Sequence, residues 1–188
     1  MFGYTDVMTD LETLGTAPGC KLLSIGAAVF SRDGVADKFY VKIRRSGQAA
    51  LTESQDTLTW WAAQSEEARN EALGDSPDRV PLPVALMTFA GWLRDVAGAG
   101  RVRIWGNGAD FDQPILAAAY RECGLEIPWE FYNSRCYRTL RAVVPQVEYN
   151  RIGTAHNALD DAVSQAQHAT SILAYLESML EIKQVEEN

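Results

Sequence analysis

From Leu22 to Phe30 the chain is apolar except for Ser24, and turn-forming residues lie beyond both ends of the run. It is far too short to cross a bilayer, so it reads as a strand within a sheet. Before it, the loop Leu14 to Lys21 carries Gly15, Pro18 and Gly19, and Val7 to Glu12 reads as an earlier strand. After it, Ser31-Arg32-Asp33-Gly34 has the composition of a hairpin turn, and Phe39 to Ile43 returns as a third strand. The front of the chain is therefore expected to be an antiparallel meander.

Beyond Thr52 the hydrophobic period becomes helical. Leu58, Trp61, Ala62 and Ala68 fit short helical pieces, with Thr52 and Gln55 spaced as a capping box. Pro83 to Val96 predicts a helix with Leu86, Phe89, Ala90 and Leu93 inward. Val102 to Trp105 predicts a short strand, followed by a Gly-Asn-Gly turn and a helix from about Phe111 to Cys123 that Asp110 can cap. Phe131 and Tyr132 suggest a last strand, Ser134 to Val144 a helix, and Asn157 to Leu180 a terminal helix with an apolar stripe. Together these predict an α/β fold, a central mixed five-stranded sheet flanked by helices. One domain is expected over residues 1–180, with an acidic tail over 181–188.

Charge narrows the partners. Lys plus Arg total 17 against 25 Asp plus Glu in 188 residues, a formal net charge of −8. That balance argues against coating duplex phosphates non-specifically, which needs many cationic contacts. It is compatible with gripping one nucleic-acid end, or with holding metal in a carboxylate cluster. Cys20, Cys123 and Cys136 are odd in number and far apart, which suggests neither a disulfide framework nor a cysteine zinc site. With no basic or apolar leader in Met1 to Asp6, the expectation is a cytoplasmic protein without a membrane partner.

Three motifs carry candidate chemistry. Asp10-Leu11-Glu12 ends the first strand, and alternation puts both carboxylates on one face, where their repulsion suits Mg²⁺ or Mn²⁺. Taken alone, the pair is equally a solvated strand end. Asp112 falls at the start of a helix after Trp105-Gly106-Asn107-Gly108-Ala109-Asp110-Phe111, where an acid also simply favours the helix dipole. That segment lacks the third glycine of a dinucleotide fingerprint. His156-Asn157-Ala158-Leu159-Asp160-Asp161 opens the last helix, placing a general-base type of residue one turn before two acids. Helical phase does not separate Asp160 from Asp161.

In this order the motifs resemble the DEDDh family of 3′–5′ exonucleases within the RNase H-like fold. The pattern is matched by Asp10 with Glu12, by Asp112 after Phe111, and by His156 followed at H-x-x-x-x-D spacing by Asp161. Thr13, Ser24-Ile25-Gly26 and Asn107 add to the likeness. Thr59-Trp60-Trp61, Trp105 to Ala109, and Tyr132-Asn133 with Arg135, Arg138 and Thr139 look like the subgroup around RNase AS and the phage DexA-type exonucleases. The likeness spans about residues 4 to 180.

The resemblance implies two-metal-ion hydrolysis of a single-stranded 3′ end, RNA preferred, releasing 5′-mononucleotides. Asp10, Glu12, Asp112 and Asp161 would be the ligands of two Mg²⁺ or Mn²⁺ ions, with His156 as general base. Thr13 and Leu14 match residues that contact the terminal nucleotide, Leu14 as an apolar wedge against the last base. Asn107 joins the substrate-binding set. Trp61 and Trp105, with Trp60, are candidate stacking surfaces, though a tryptophan is as readily core. Arg135, Arg138 and Arg141 recur every third residue and, with Arg151, oppose only Glu148. They suggest a phosphate-contacting helix edge, a homodimer interface, or a plain solvated face. The rival readings are the same chemistry on single-stranded DNA and a non-catalytic module that binds nucleic-acid ends.

Overall fold

The apolar run becomes the second strand of a five-stranded mixed sheet. The computed structural model describes residues 3–98 and 100–186. Strands β1 (Tyr4–Thr13), β2 (Leu22–Ser31) and β3 (Gly34–Lys42) form the expected antiparallel meander. Helices α1 (Gln55–Ala62), α2 (Glu66–Leu73) and α3 (Leu82–Ala97) follow. Next come β4 (Arg101–Gly106), α4 (Asp112–Glu122), β5 (Ser134–Cys136), α5 (Tyr137–Val143) and α6 (Ala158–Glu186). The sheet order is β3-β2-β1-β4-β5, with β4 parallel to both β1 and β5. No described helix is long and apolar enough to cross a membrane.

Strand alternation builds two cores, one on each face of the sheet. Val7, Leu11, Ile25 and Ala27 pack with Leu86 and Phe89 of α3 and Ile115 and Leu116 of α4. On the other face Met8, Ala28 and Phe30 meet Tyr137 of α5 and Ala162, Val163, Ala166 and Ala169 of α6. The small residues on α6 let it lie close to the sheet. Gly26 sits where the two come closest: a Cβ there would overlap the Ala158 carbonyl and the Leu159 nitrogen.

Several local expectations need correction. Residues Phe131–Asn133 form a 3₁₀ turn, and the last strand is Ser134–Cys136. The strand displaces the start of the following helix to Tyr137, which takes Arg135 off the helix. Arg135 therefore shares no helix face with Arg138 and Arg141. Thr52 forms no capping box; it pairs with Cys20 in an isolated bridge, and Ser54 stands at the α1 N-cap position. Asp110 does not cap α4, because Phe111 intervenes at that position. The terminal helix runs through Glu186 rather than stopping at Leu180, since no Gly or Pro interrupts this stretch. Residues 187 and 188 of the expected acidic tail lie outside the described residues.

Replacing Gly26 by Ala is expected to lower the unfolding free energy by about 1–3 kcal/mol through overpacking. Gly91→Ala in α3, where a Cβ meets only Arg94 Nη2 at 3.9 Å, should be neutral or slightly stabilising. Urea unfolding of the two variants checks the contrast.

Candidate active site

Alternation along β1 puts Asp10 and Glu12 on the α6 side of the sheet, while Leu11 enters the opposite core. Gln165, one turn beyond Asp161 on α6, donates from Nε2 to Asp10 Oδ1 at 2.8 Å. Asp112 approaches from the other edge of β1. Pairing of β1 with β4 ends at Met8 and Trp105, so β4 does not occupy the Leu11 amide. That amide donates to Asp112 Oδ1 at 3.2 Å, and the Asn107 amide donates to Oδ2 at 2.9 Å. Gly106 makes room, since a Cβ there would press on Asp112 Oδ2 and Gln113 Oε1.

The start of α6 supplies the remaining groups. Asn157 caps the helix, its Oδ1 accepting from Leu159 and Asp160 amides at 3.0 and 3.1 Å. His156 just before it has φ +63°, a left-handed conformation uncommon for a residue with a side chain. Its amide donates to Asp161 Oδ2 at 2.9 Å, and the Arg151 guanidinium donates to Asp161 Oδ1. The fold thereby separates two acids that helical phase could not. Asp161 enters the cleft, whereas Asp160 turns back to accept from the Thr154 amide at 2.8 Å.

Asp10, Glu12, Asp112, Asp161 and His156 thus line one cleft of about 750 Å³. Ligand atoms of Glu12, His156 and Asp161 lie within 4.8 Å of one another. Burial, together with the Asp112 and Asp161 charges, pushes the Asp10 carboxyl well above the usual range. Glu12 is raised likewise, by burial and then by Asp10, Asp161 and Asp112. Asp112 is pushed up by burial to about 7, against the opposing effect of the Asn107 and Leu11 amides. Clustered oxygen donors that resist sharing negative charge are the chemistry a hard divalent cation satisfies. The donor set therefore fits such ions.

Other predicted contact residues divide sharply. Thr13, Asn107 and Trp61 all border the cleft. Trp61 is nevertheless almost fully buried, and its Nε1 donates to the Thr13 carbonyl at 2.9 Å, so it supports the β1 end rather than offering a stacking face. Trp105 packs edge-on against Phe30, and its Nε1 donates to Asp6 Oδ1 at 2.7 Å, which holds it away from the cleft. Asp6, which also binds Arg103, accounts for the polarity at the start of β1. Leu14 is 0% exposed, packed with Leu23, Trp61 and Ala72, so it presents no wedge.

Arg135 donates to the carbonyls of Tyr132 and Ser134 and lies outside the cleft, whereas Arg138, Arg141 and Arg151 line it. Trp60 is the exposed aromatic at the mouth, 43% accessible and edge-on to His156 at 4.8 Å. Gln165 escaped the sequence reading, although its i+4 spacing from Asp161 was a usable signal.

This five-stranded mixed sheet with its flanking helices matches the fold of DEDDh, RNase H-like exonuclease structures. The nuclease domain of 3′hExo, a DEDDh family member bound to rAMP, superposes with a TM-score of 0.60 at 14% identity, over 90% of this chain and 92% of that one. E. coli Exonuclease I in complex with a dT13 oligonucleotide gives 0.60 at 14% identity, over 91% of this chain but 41% of that one. Exonuclease X in complex with 5′ overhanging duplex DNA gives 0.56 at 16% identity, over 90% and 92%. The chain belongs to the Rv2179c-like 3′–5′ exoribonuclease domain family, whose profile matches residues 5–173, and it is accordingly a hydrolase domain. Membership implies divalent-metal use. No curated protein matches the chain in sequence.

Burial and charge crowding favour the protonated carboxyls of Asp10, Glu12 and Asp112 in the cation-free fold, and an incoming cation must displace those protons. Mn²⁺ affinity is therefore expected to rise from pH 5.5 to 7.5, with proton release at the lower pH. Calorimetric titration in buffers of different ionisation enthalpy measures both; affinity independent of pH would contradict this electrostatic picture.

Proposed function

We propose that this chain is a divalent-metal-dependent exonuclease that removes 5′-mononucleotides from the 3′ end of single-stranded RNA. The observation that carries the reading is the convergence of Asp10, Glu12, Asp112, Asp161 and His156 from β1, α4 and the start of α6 on one cleft. Membership of a family described as exoribonuclease supports RNA rather than DNA as the substrate.

In this reading Asp10, Glu12, Asp112 and Asp161 would hold two Mg²⁺ or Mn²⁺ ions. Ions held there would supply Lewis-acid chemistry for phosphodiester hydrolysis by water. His156 takes the water's proton at an imidazole nitrogen, with the edge-on contact to Trp60 restraining its ring. The Thr13 hydroxyl donates to the Gly15 carbonyl at 2.6 Å, which leaves its oxygen free to accept from the terminal 3′-OH. Trp60 offers the exposed π-face for the last base, an interaction worth ~1–3 kcal/mol. Arg138 lies beside the Gly106 to Gly108 turn at the cleft wall, where phosphate would enter.

The deciding assay presents matched 5′-labelled RNA and DNA strands with Mg²⁺ or Mn²⁺, and with EDTA as control. Stepwise shortening of RNA from its 3′ end, lost in EDTA, is expected; shortened DNA beside intact RNA would overturn the substrate assignment. Asp112→Asn removes the charge and keeps one acceptor oxygen, for either the Leu11 or the Asn107 amide, giving up the bond to the other. It should fold normally and lose about 100-fold or more of the activity, beyond what loss of an outer partner of a metal site costs. Retained activity there would remove Asp112 from the site.

A further inference from the structure

Arg151 occupies an unusual position. Its guanidinium sits on Oδ1 of Asp161, a carboxylate that the preceding reading needs for metal, and its charge also acts on Asp10 and Glu12. Asp161 is its only protein hydrogen-bond partner among the described residues, and the side chain stays 40% exposed at the cleft wall.

The loop does not need this side chain to hold its shape. The Ile152 amide donates to Ser164 Oγ at 2.9 Å, the Thr154 amide to Asp160 Oδ2 at 2.8 Å, and Thr154 Oγ1 to Glu67 Oε1 at 2.8 Å. The shape of the loop therefore does not depend on the contact between the guanidinium and Asp161.

We propose that Arg151 is a two-position residue: it rests on Asp161 when the cleft lacks cations and turns to a phosphate of the bound nucleotide once they enter. The proposal rests on the metal-dependent reading above. A cation on Asp161 competes for the same oxygen lone pairs, so the guanidinium is released with its charge intact. Four cleft carboxylates are matched in charge by two divalent ions, which leaves Arg151 to answer the charge of the phosphodiester. A guanidinium suits that group because its forked donors can bind two phosphate oxygens together. Arg151 is thus a substrate-positioning residue that also lowers metal affinity in the empty enzyme.

The two positions predict opposite effects from one substitution. Arg151→Met should bind Mn²⁺ alone several-fold more tightly, yet bind AMP in the presence of Mn²⁺ about tenfold or more weakly. In the RNA assay it should raise KM more than it lowers kcat. Arg151→Lys should recover part of the AMP affinity, because a point charge replaces the fork only partly.

Calorimetry of Mn²⁺ and AMP binding on the full chain gives both signs, and circular dichroism confirms the fold. Unchanged or weaker Mn²⁺ binding in folded Arg151→Met would overturn the resting position, and unchanged AMP binding would overturn the second. Failure of the wild-type chain to bind Mn²⁺ would instead overturn the metal-dependent reading beneath the proposal.

Discussion

The approach of α6 to the sheet over Gly26 is the contact on which the site depends. Only a residue without a Cβ lets the Ala158 carbonyl and the Leu159 nitrogen come so near β2. The alanines on the inner face of the helix, Ala162, Ala166 and Ala169, continue that close packing along Met8, Ala28 and Phe30. With the helix at that depth, His156 and Asp161 stand beside the β1 carboxylates. A helix raised by one methyl group would separate Asp161 from Glu12 and loosen the Gln165 bond to Asp10.

That approach has an electrostatic cost. Four carboxylates share one cleft: burial with repulsion from neighbouring carboxylates raises Asp10 and Glu12, and burial raises Asp112. The protein offsets the strain with directed donors: backbone amides of Leu11 and Asn107 on Asp112, Gln165 on Asp10, and the His156 amide with Arg151 on Asp161. These contacts fix the carboxylates without neutralising them completely. Such a cluster is preorganised for divalent cations, and its charge also attracts the Arg151 guanidinium to Asp161.

The net charge of −8 takes its meaning from this geometry. Four of those charges converge on the cleft, while the cationic groups at its wall are few, chiefly Arg138, Arg141 and Arg151. The proposed substrate is therefore gripped over its last few nucleotides, through phosphate and one exposed tryptophan.

Much of this was legible in the sequence. Strand alternation put Asp10 and Glu12 on one face, the apolar run and hairpin turn gave the meander, and motif order linked Asp112, His156 and Asp161. Those features are local, set by a period of two or by a few residues of spacing. Side-chain fates decided by distant packing were not legible. Trp105 is held by Asp6 across the β1–β4 pair, Leu14 is sealed beneath Trp61, and Arg135 is drawn into β5. Helical phase left Asp160 and Asp161 equal; family spacing pointed to Asp161, and the folded loop gives the physical reason, with its Thr154 amide on Asp160 and its His156 amide on Asp161. The sequence by itself determined which residues could hold charge and in what order along the chain. Tertiary structure decided which of them face the same water, because that depends on how closely a helix can lie on a sheet.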